Sequence, residues 1–282
     1  MSAGDLSALL ISLREGIEMT LVVGIVLAYL GQTGTMRAAR WVWAGAAAAI
    51  AVSLSFLGIL NALDKEFQGT TEQIFEGSTM VLATIFLTWM IFWMLRNSRY
   101  LKGELHRGVE AALARGGAAW GLFLLVFFAM VREGVELALL LFAAPGEGKL
   151  AGSVAGLAGA VGVGVVIYAF GRRVELRSFF RVTSVLLVLF AAGLLSHAAH
   201  EFAEAGVLAG IEGPMLWSTK SLLSQDEGLG GILRALFGYA DQPHVIELAT
   251  YIGYFVAVWL LWRSGLAARF TPKPAPTARP AQ

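Results

Sequence analysis

The chain has 282 residues, 57% of them apolar and 15% charged, with a formal net charge of +1 and a mean hydropathy of +0.69. That balance lies outside the range of soluble globular domains and inside that of membrane proteins. Cysteine is absent, so thiolate zinc sites, iron–sulfur clusters and disulfides are excluded, and any metal must be held by oxygen or imidazole.

Seven apolar stretches long enough to span a bilayer follow one another: Leu6 to Leu30, Trp41 to Leu60, Ile74 to Leu95, Ala118 to Ala144, Ala151 to Phe170, Val182 to Ala203, and Ile246 to Trp262. The first has Asp5 ahead of it, lacks a basic leader and carries charge inside it, and it reads as a retained helix, not a cleaved signal peptide. That charge is Arg14-Glu15-Gly16-Ile17-Glu18. The fourth stretch repeats it as Arg132-Glu133-Gly134-Val135-Glu136. A charged side chain at the centre of a membrane helix costs roughly 2.5 to 3.5 kcal/mol on insertion scales, and such residues by default mark a substrate or ion pathway.

Each motif opens a unit of three spans, residues 6–95 and 118–204. Three spans per unit force the second copy to cross the membrane inverted relative to the first, the plan of many secondary transporters with binding at the midplane between repeats. The fifth span carries Gly152, Gly156, Gly159, Gly162 and Gly164, which read as close helix packing. Residues 205–245 are too polar and glycine-broken to span, and form an outer loop with one or two interfacial helices, from Leu216 to Leu223 and Ile232 to Phe237. The seventh span, 246–262, is extra. Residues 266–282, rich in proline, read as a disordered cytoplasmic tail. With the N-terminus outside, 15 of the Lys and Arg residues fall on inner segments and 4 on outer ones, which sets the orientation N-out, C-in. The basic inner face is a membrane asymmetry and implies lipid, not nucleic acid. Gly146-Glu147-Gly148-Lys149 lacks the glycine and hydroxyl residue of a phosphate loop, so no nucleotide engine is encoded.

On a helix, Arg14, Glu15 and Glu18 project to roughly one side, as do Arg132, Glu133 and Glu136. Four carboxylates and two guanidiniums leave a formal charge near −2, suited to a hard multivalent cation such as iron, manganese, magnesium or calcium. A purely structural role would be two Arg–Glu pairs pinning helices, but that does not require the surplus acid in each copy. His197, His200, Glu201 and Glu204 form one stripe along the outer end of the sixth span, and Glu72 and Glu76 pair at the outer end of the third. Together they predict an acidic funnel whose histidines suit a transition metal. Asp241, His244 and Glu247 before the seventh span read equally as helix capping or as metal ligands.

Leu13-Arg-Glu-Gly-Ile-Glu18 with Val22 to Tyr29, the second Arg-Glu-Gly-x-Glu, the His-x-x-His-Glu at 197–201, and Leu236-Phe-Gly-Tyr239 with Pro243 and Tyr251 resemble the oxidase-dependent iron permeases, a family that includes the yeast high-affinity permease and the bacterial EfeU type. The resemblance runs from about residue 6 to 265. It implies an all-α protein of seven transmembrane helices that imports iron across the plasma membrane, in bacteria the inner membrane. It also implies Glu15, Glu18, Glu133 and Glu136 as iron ligands. Iron, as Fe2+ or Fe3+, is then the transported substrate, and neither a resident cofactor nor an enzymatic activity is implied. A separate oxidase, or in bacteria periplasmic iron-oxidising or iron-binding proteins, would be the partner. The competing readings are a transporter of another heavy or divalent cation, such as lead or manganese, and an intramembrane carboxylate-bridged metalloenzyme. Lead or copper is disfavoured by the lack of cysteine, and the enzyme by Glu-x-x-Glu standing where di-iron bundles use Glu-x-x-His.

Overall fold

The computed structural model describes residues 3–97, 107–112, 118–144, 146, 148–170, 176–208, 210, 211, 213–225 and 228–264. The predicted tail at 266–282, and inner-loop residues such as Arg99, Lys102, Arg115, Arg172 and Arg173, lie outside the described residues. The helices are α1 (Ala3–Gln32), α2 (Ala39–Glu66), α3 (Thr70–Asn97), α4 (Ala118–Ala143), α5 (Lys149–Phe170), α6 (Leu176–Glu204), α7 (Gly228–Phe237) and α8 (Val245–Ser264). Among the described residues there is no strand beyond an isolated bridge between Met215 and His244.

A bilayer offers backbone amides no water, and continuous helices satisfy them internally. The hydroxyl residues inside these helices do the same. Thr20 donates to the Gly16 carbonyl at 2.7 Å, Ser53 to Ala49 at 2.9 Å, Thr84 to Met80 at 2.9 Å and Thr88 to Thr84 at 2.7 Å. Five helices, α2, α3, α5, α6 and α8, are long and apolar enough to cross a membrane. α1 and α4 have 30 and 26 residues and carry the two charged motifs. The bundle is an all-α membrane architecture. α2, α5 and α8 lie at its periphery and expose Trp43, Leu54, Val154, Val161, Ile252 and Trp259, surface that suits hydrocarbon and not water.

The packing has a twofold pattern. α1 packs against α5 and α2 against α4, α3 packs against α6, and α1 crosses α4. Exchanging α1 with α4, α2 with α5 and α3 with α6 leaves this set of pairings unchanged. Glycine makes both peripheral pairings close. On α5, a Cβ at Gly156 would stand 2.8 Å from the Leu13 amide nitrogen and 2.9 Å from the Ser12 Cβ of α1; on α2, one at Gly45 would stand 2.6 Å from the Phe123 carbonyl oxygen of α4. The motif glycines take equivalent places, Gly16 against Ala160 of α5 and Gly134 against Ser53 of α2. The five glycines of α5 are not alike, however. Gly162 has nothing within 4 Å, so the packing role expected of all of them does not extend to it.

Polar contacts close the helix ends. The Asp5 carboxylate accepts the Gly152 amide at 3.0 Å at the start of α5, where a helix presents unpaired amides and favours negative charge. Lys149 donates to the Leu141 and Phe142 carbonyls at 2.9 and 3.3 Å at the end of α4. Among the described residues, the segment before α8 forms one short helix. α7 contains the predicted Ile232 to Phe237 piece and packs against α1 and α6. Leu216 to Leu223 is not helical: its Leu216 and Thr219 amides bond the carbonyls of Pro243 and Asp241 at 2.9 and 2.8 Å. Gly238 turns the chain out of α7 with φ of +68° and lies against Gly193 of α6, whose own Cβ would sit 2.6 Å from the Gly238 Cα. Only glycine fits that conformation and approach together.

Gly156→Val should separate α1 from α5 and cost about 1–3 kcal/mol as overpacking, read as a lowered melting temperature of the purified protein in detergent. Gly162→Ala on the same helix should leave it unchanged or raise it slightly, since a helical Gly costs about 0.5–1 kcal/mol relative to Ala.

Candidate metal centre

α1 and α4 cross where their motifs lie, and α3 covers the crossing. Arg14 is 1% exposed and its Nη1 is hydrogen-bonded to Glu15 Oε1. Its Nη2 stands 3.0 Å from Glu18 Oε1, an ion pair out of hydrogen-bond alignment. The guanidinium also reaches the sulfurs of Met90 and Met94 on α3 at 3.1 and 3.4 Å. Arg132 is held differently. Its Nε is 3.2 Å from Glu136 Oε1 and 3.7 Å from Glu133 Oε1, its side chain is 34% exposed, and its guanidinium lies 5.0 and 4.7 Å from the ring centres of Trp89 and Trp93.

The acids converge. Glu15, Glu133 and Glu136 are buried, and one carboxylate oxygen of each lies within 4.8 Å of the others. Each directs Oε1 to an arginine, while Oε2 is buried with no hydrogen-bond partner. Buried carboxylate oxygens are rarely left unsatisfied, because the desolvation is uncompensated. Three buried acids with converging oxygens and unpartnered Oε2 atoms supply hard donors that an oxygen-loving cation would complete. Glu18 is outside this set and stays with Arg14.

A second cluster lies between the C-terminal end of α6 and the start of α8. His200 Nδ1 is 3.0 Å and His244 Nδ1 3.4 Å from Glu247 Oε1. His200 Nε2 is 3.1 Å from Glu204 Oε1, and Gln73 of α3 donates to Glu204 Oε2 at 2.9 Å. The imidazoles of His197, His200 and His244 stack, with ring centres 6.0 and 6.1 Å apart.

The predicted funnel residues therefore divide. His200 joins a cluster with potential metal ligands, and Glu204 supports it from behind. His197 faces Glu201 on its own helix at 3.7 Å. Glu76 lies in the field of Asp64, Glu72 and Lys149 and its charge also acts on Glu201; with Asp64, Lys149 and His197 it lines a crevice of about 1260 Å³ bounded by α1, α2, α4 and α5. Among the described residues, Glu72 and Glu201 belong to neither set of converging ligands. His244 and Glu247 emerge as members of a cluster whose sequence signal, the i, i+3 spacing, was equally that of a helix start. Asp241 separates from them: its carboxylate accepts the Gln225 amide at 3.3 Å and fixes the loop.

The fold and the buried charge at its centre define a multi-pass α-helical membrane protein. The chain belongs to the Iron permease FTR1 family, which it matches over residues 5–267. It is 36% identical over 255 residues to the ferrous iron permease EfeU of Escherichia coli O157:H7, covering 88% of this chain and 91% of that one. It is 34% identical over 258 residues to the ferrous iron permease EfeU of Yersinia pestis, covering 90% and 91%. The protein of Escherichia coli strain K12 named a putative inactive ferrous iron permease EfeU is 36% identical over 252 residues, covering 88% and 91%. No solved structure matches the chain. The protein is thus a multi-pass permease of the bacterial inner membrane.

The two arginines should differ in structural weight. Arg14→Met would leave buried acids without their counter-charge and should lower stability by about 3–5 kcal/mol. Arg132→Met, half-exposed and held partly by aromatic faces, should cost about 1–2 kcal/mol. Chemical unfolding in detergent compares them; equal losses would contradict the asymmetry.

Proposed function

We propose that the protein imports iron across the inner membrane, and that the ion passes a midplane site whose ligands are Glu15, Glu133 and Glu136. The observation that carries this reading is the trio of buried Oε2 atoms without partners, on converging acids presented by the two copies of one motif. Arg14 and Arg132 hold the Oε1 atoms, so a cation can take the free oxygens without first breaking an ion pair. The guanidiniums also lower the cost of the empty site. Glu18, retained by Arg14, stands next in line and accepts the ion or the arginine as the site loads and empties. Family membership and the names of the relatives support iron as the cargo, and an all-carboxylate set suits it in either valence.

The orientation in this reading is N-out, C-in with seven spans: α1 and α4 cross the membrane with the five more apolar helices, and α8 is the span outside the two repeats. The 15-to-4 distribution of Lys and Arg supports the orientation, and the exchange-invariant packing of α1–α3 with α4–α6 supports an inverted repeat. Glu72, Glu76, His197, His200, Glu201 and Glu204 then lie at the outer mouth and raise the local cation concentration there. A periplasmic iron-oxidising or iron-binding protein is the partner that delivers the ion.

The test is radioactive iron uptake into proteoliposomes, with ferrous and ferric iron offered separately. Glu15→Gln, Glu133→Gln and Glu136→Gln each keep the shape of the side chain and remove its charge, and each should reduce uptake to that of empty liposomes. Glu18→Gln should retain partial activity. A wild-type rate in any of the first three would overturn the site.

A further inference from the structure

We propose that His200, His244 and Glu247 form a second metal site, for a divalent transition-metal ion, chemically distinct from the midplane carboxylates and independent of whether those carry iron. The cluster stands in a cavity of about 230 Å³, lined by His197, His200, Arg234, Asp241, His244 and Glu247 among others. Ligand atoms of the three residues lie within 4.8 Å of one another. The two imidazole Nδ1 atoms flank one carboxylate oxygen at 3.0 and 3.4 Å, spacings close to the edges of a coordination polyhedron with bonds of about 2.1 Å.

The surroundings are those of a ligand and not of a casual ion pair. A metal-binding histidine characteristically gives its other ring nitrogen to a carboxylate, which fixes the tautomer and turns the lone pair toward the metal. Here Glu204 takes His200 Nε2 at 3.1 Å, is itself fixed by Gln73, and leaves Nδ1 as the inward nitrogen. That nitrogen is buried and, although 3.0 Å from Glu247 Oε1, is not aligned to hydrogen-bond with it. The main chain is tied as well. Ser196 of α6 donates to the Glu247 carbonyl at 3.0 Å, and Leu216 joins the carbonyl of Pro243 next to His244. Three elements, α6, α8 and the 213–225 segment, are thus locked around the site. Two imidazoles and one carboxylate with open positions are the donor set of ferrous iron and of its borderline neighbours, and a poor one for magnesium or calcium. Among the described residues, the midplane set of converging ligands contains no imidazole. The protein accordingly holds an imidazole site that selects transition metals at the bundle end and a hard oxygen site at its centre.

Cobalt(II) is the probe, because its visible absorption reports nitrogen-rich coordination of low symmetry. Titrated into the purified full-length protein in detergent, it should give a saturable visible band that zinc displaces and excess calcium does not. His200→Gln, His244→Gln and Glu247→Gln should each abolish the band, and Glu204→Gln should weaken cobalt affinity about 10- to 100-fold, the usual effect of losing such a support. The triple variant Glu15→Gln, Glu133→Gln, Glu136→Gln should keep it. His244→Cys guards against loss through misfolding: in a chain without other thiols it should add an intense thiolate-to-cobalt charge-transfer band. Wild-type affinity in His200→Gln or His244→Gln, loss of the band in the midplane triple variant, displacement by calcium, or absence of the charge-transfer band in a folded His244→Cys protein would each overturn the proposal.

Discussion

The burial of the Arg14 guanidinium among Glu15 and Glu18 is the constraint around which the bundle is arranged. A charge of either sign at this depth is costly, and the protein meets it by placing compensating charge on the same helix turn, within direct reach of the arginine. That solution forces neighbours to come close enough to exclude lipid. The glycine-lined seams of α1 with α5 and of α2 with α4 supply that approach, and α3 closes the remaining side with Met90, Met94 and the tryptophans that cover Arg132. Helix packing and site electrostatics are therefore one problem. The residues that permit close contact, Gly16 and Gly134, stand within the same five-residue motifs as the charges.

The two copies of the motif do not end in identical surroundings. Arg14 is sealed and binds sulfur and carboxylate, while Arg132 is partly open and stacks on indoles. An exact twofold would have made the midplane symmetric and left no direction to it. The difference comes from α3, whose Met90 and Met94 meet Arg14 while Trp89 and Trp93 meet Arg132, and from α7, which packs against α1. These unequal surroundings are what distinguish the two motif copies, and in the proposed reading they give the path a direction.

Much of this was legible in the sequence, for reasons that can be stated residue by residue. The helices followed from apolar runs that had no polar alternative, and the observed ends run a few residues beyond the apolar limits, as in Glu66 of α2 and Leu176 of α6. The acids at 15, 18, 133 and 136 stood out because charge in such runs is costly and two Arg–Glu pairs do not require the surplus acid. What the sequence could not supply was selection among equivalent acids. Glu18 has the same spacing from its arginine as Glu136, yet only Glu136 joins the converging set, because that depends on the angle at which α1 and α4 cross. His244 and Glu247 were equally hidden. Their spacing is that of an ordinary helix start, and their meaning arises only when the Leu216 segment folds back on Pro243 and brings them to His200, far away in the chain. Gly162 erred the other way: composition placed it in a packing stripe, but its face of α5 looks outward.

In the proposed reading, two clusters of different donor chemistry, one of carboxylates at the crossing of α1 and α4 and one of imidazoles with a carboxylate at the end of α6, give the protein two places to discriminate a cation. The carboxylate crossing is central, since the repeat, the glycine seams and the buried arginines all converge on it. Anomalous scattering from iron-loaded crystals of the wild-type protein, recorded on either side of the iron absorption edge, would locate the ion directly. The account predicts a peak at bonding distance from Glu15, Glu133 and Glu136 together, with Arg14 and Arg132 still at the Oε1 side of those acids. Iron bound elsewhere in the bundle, with that crossing free of anomalous signal, would contradict it.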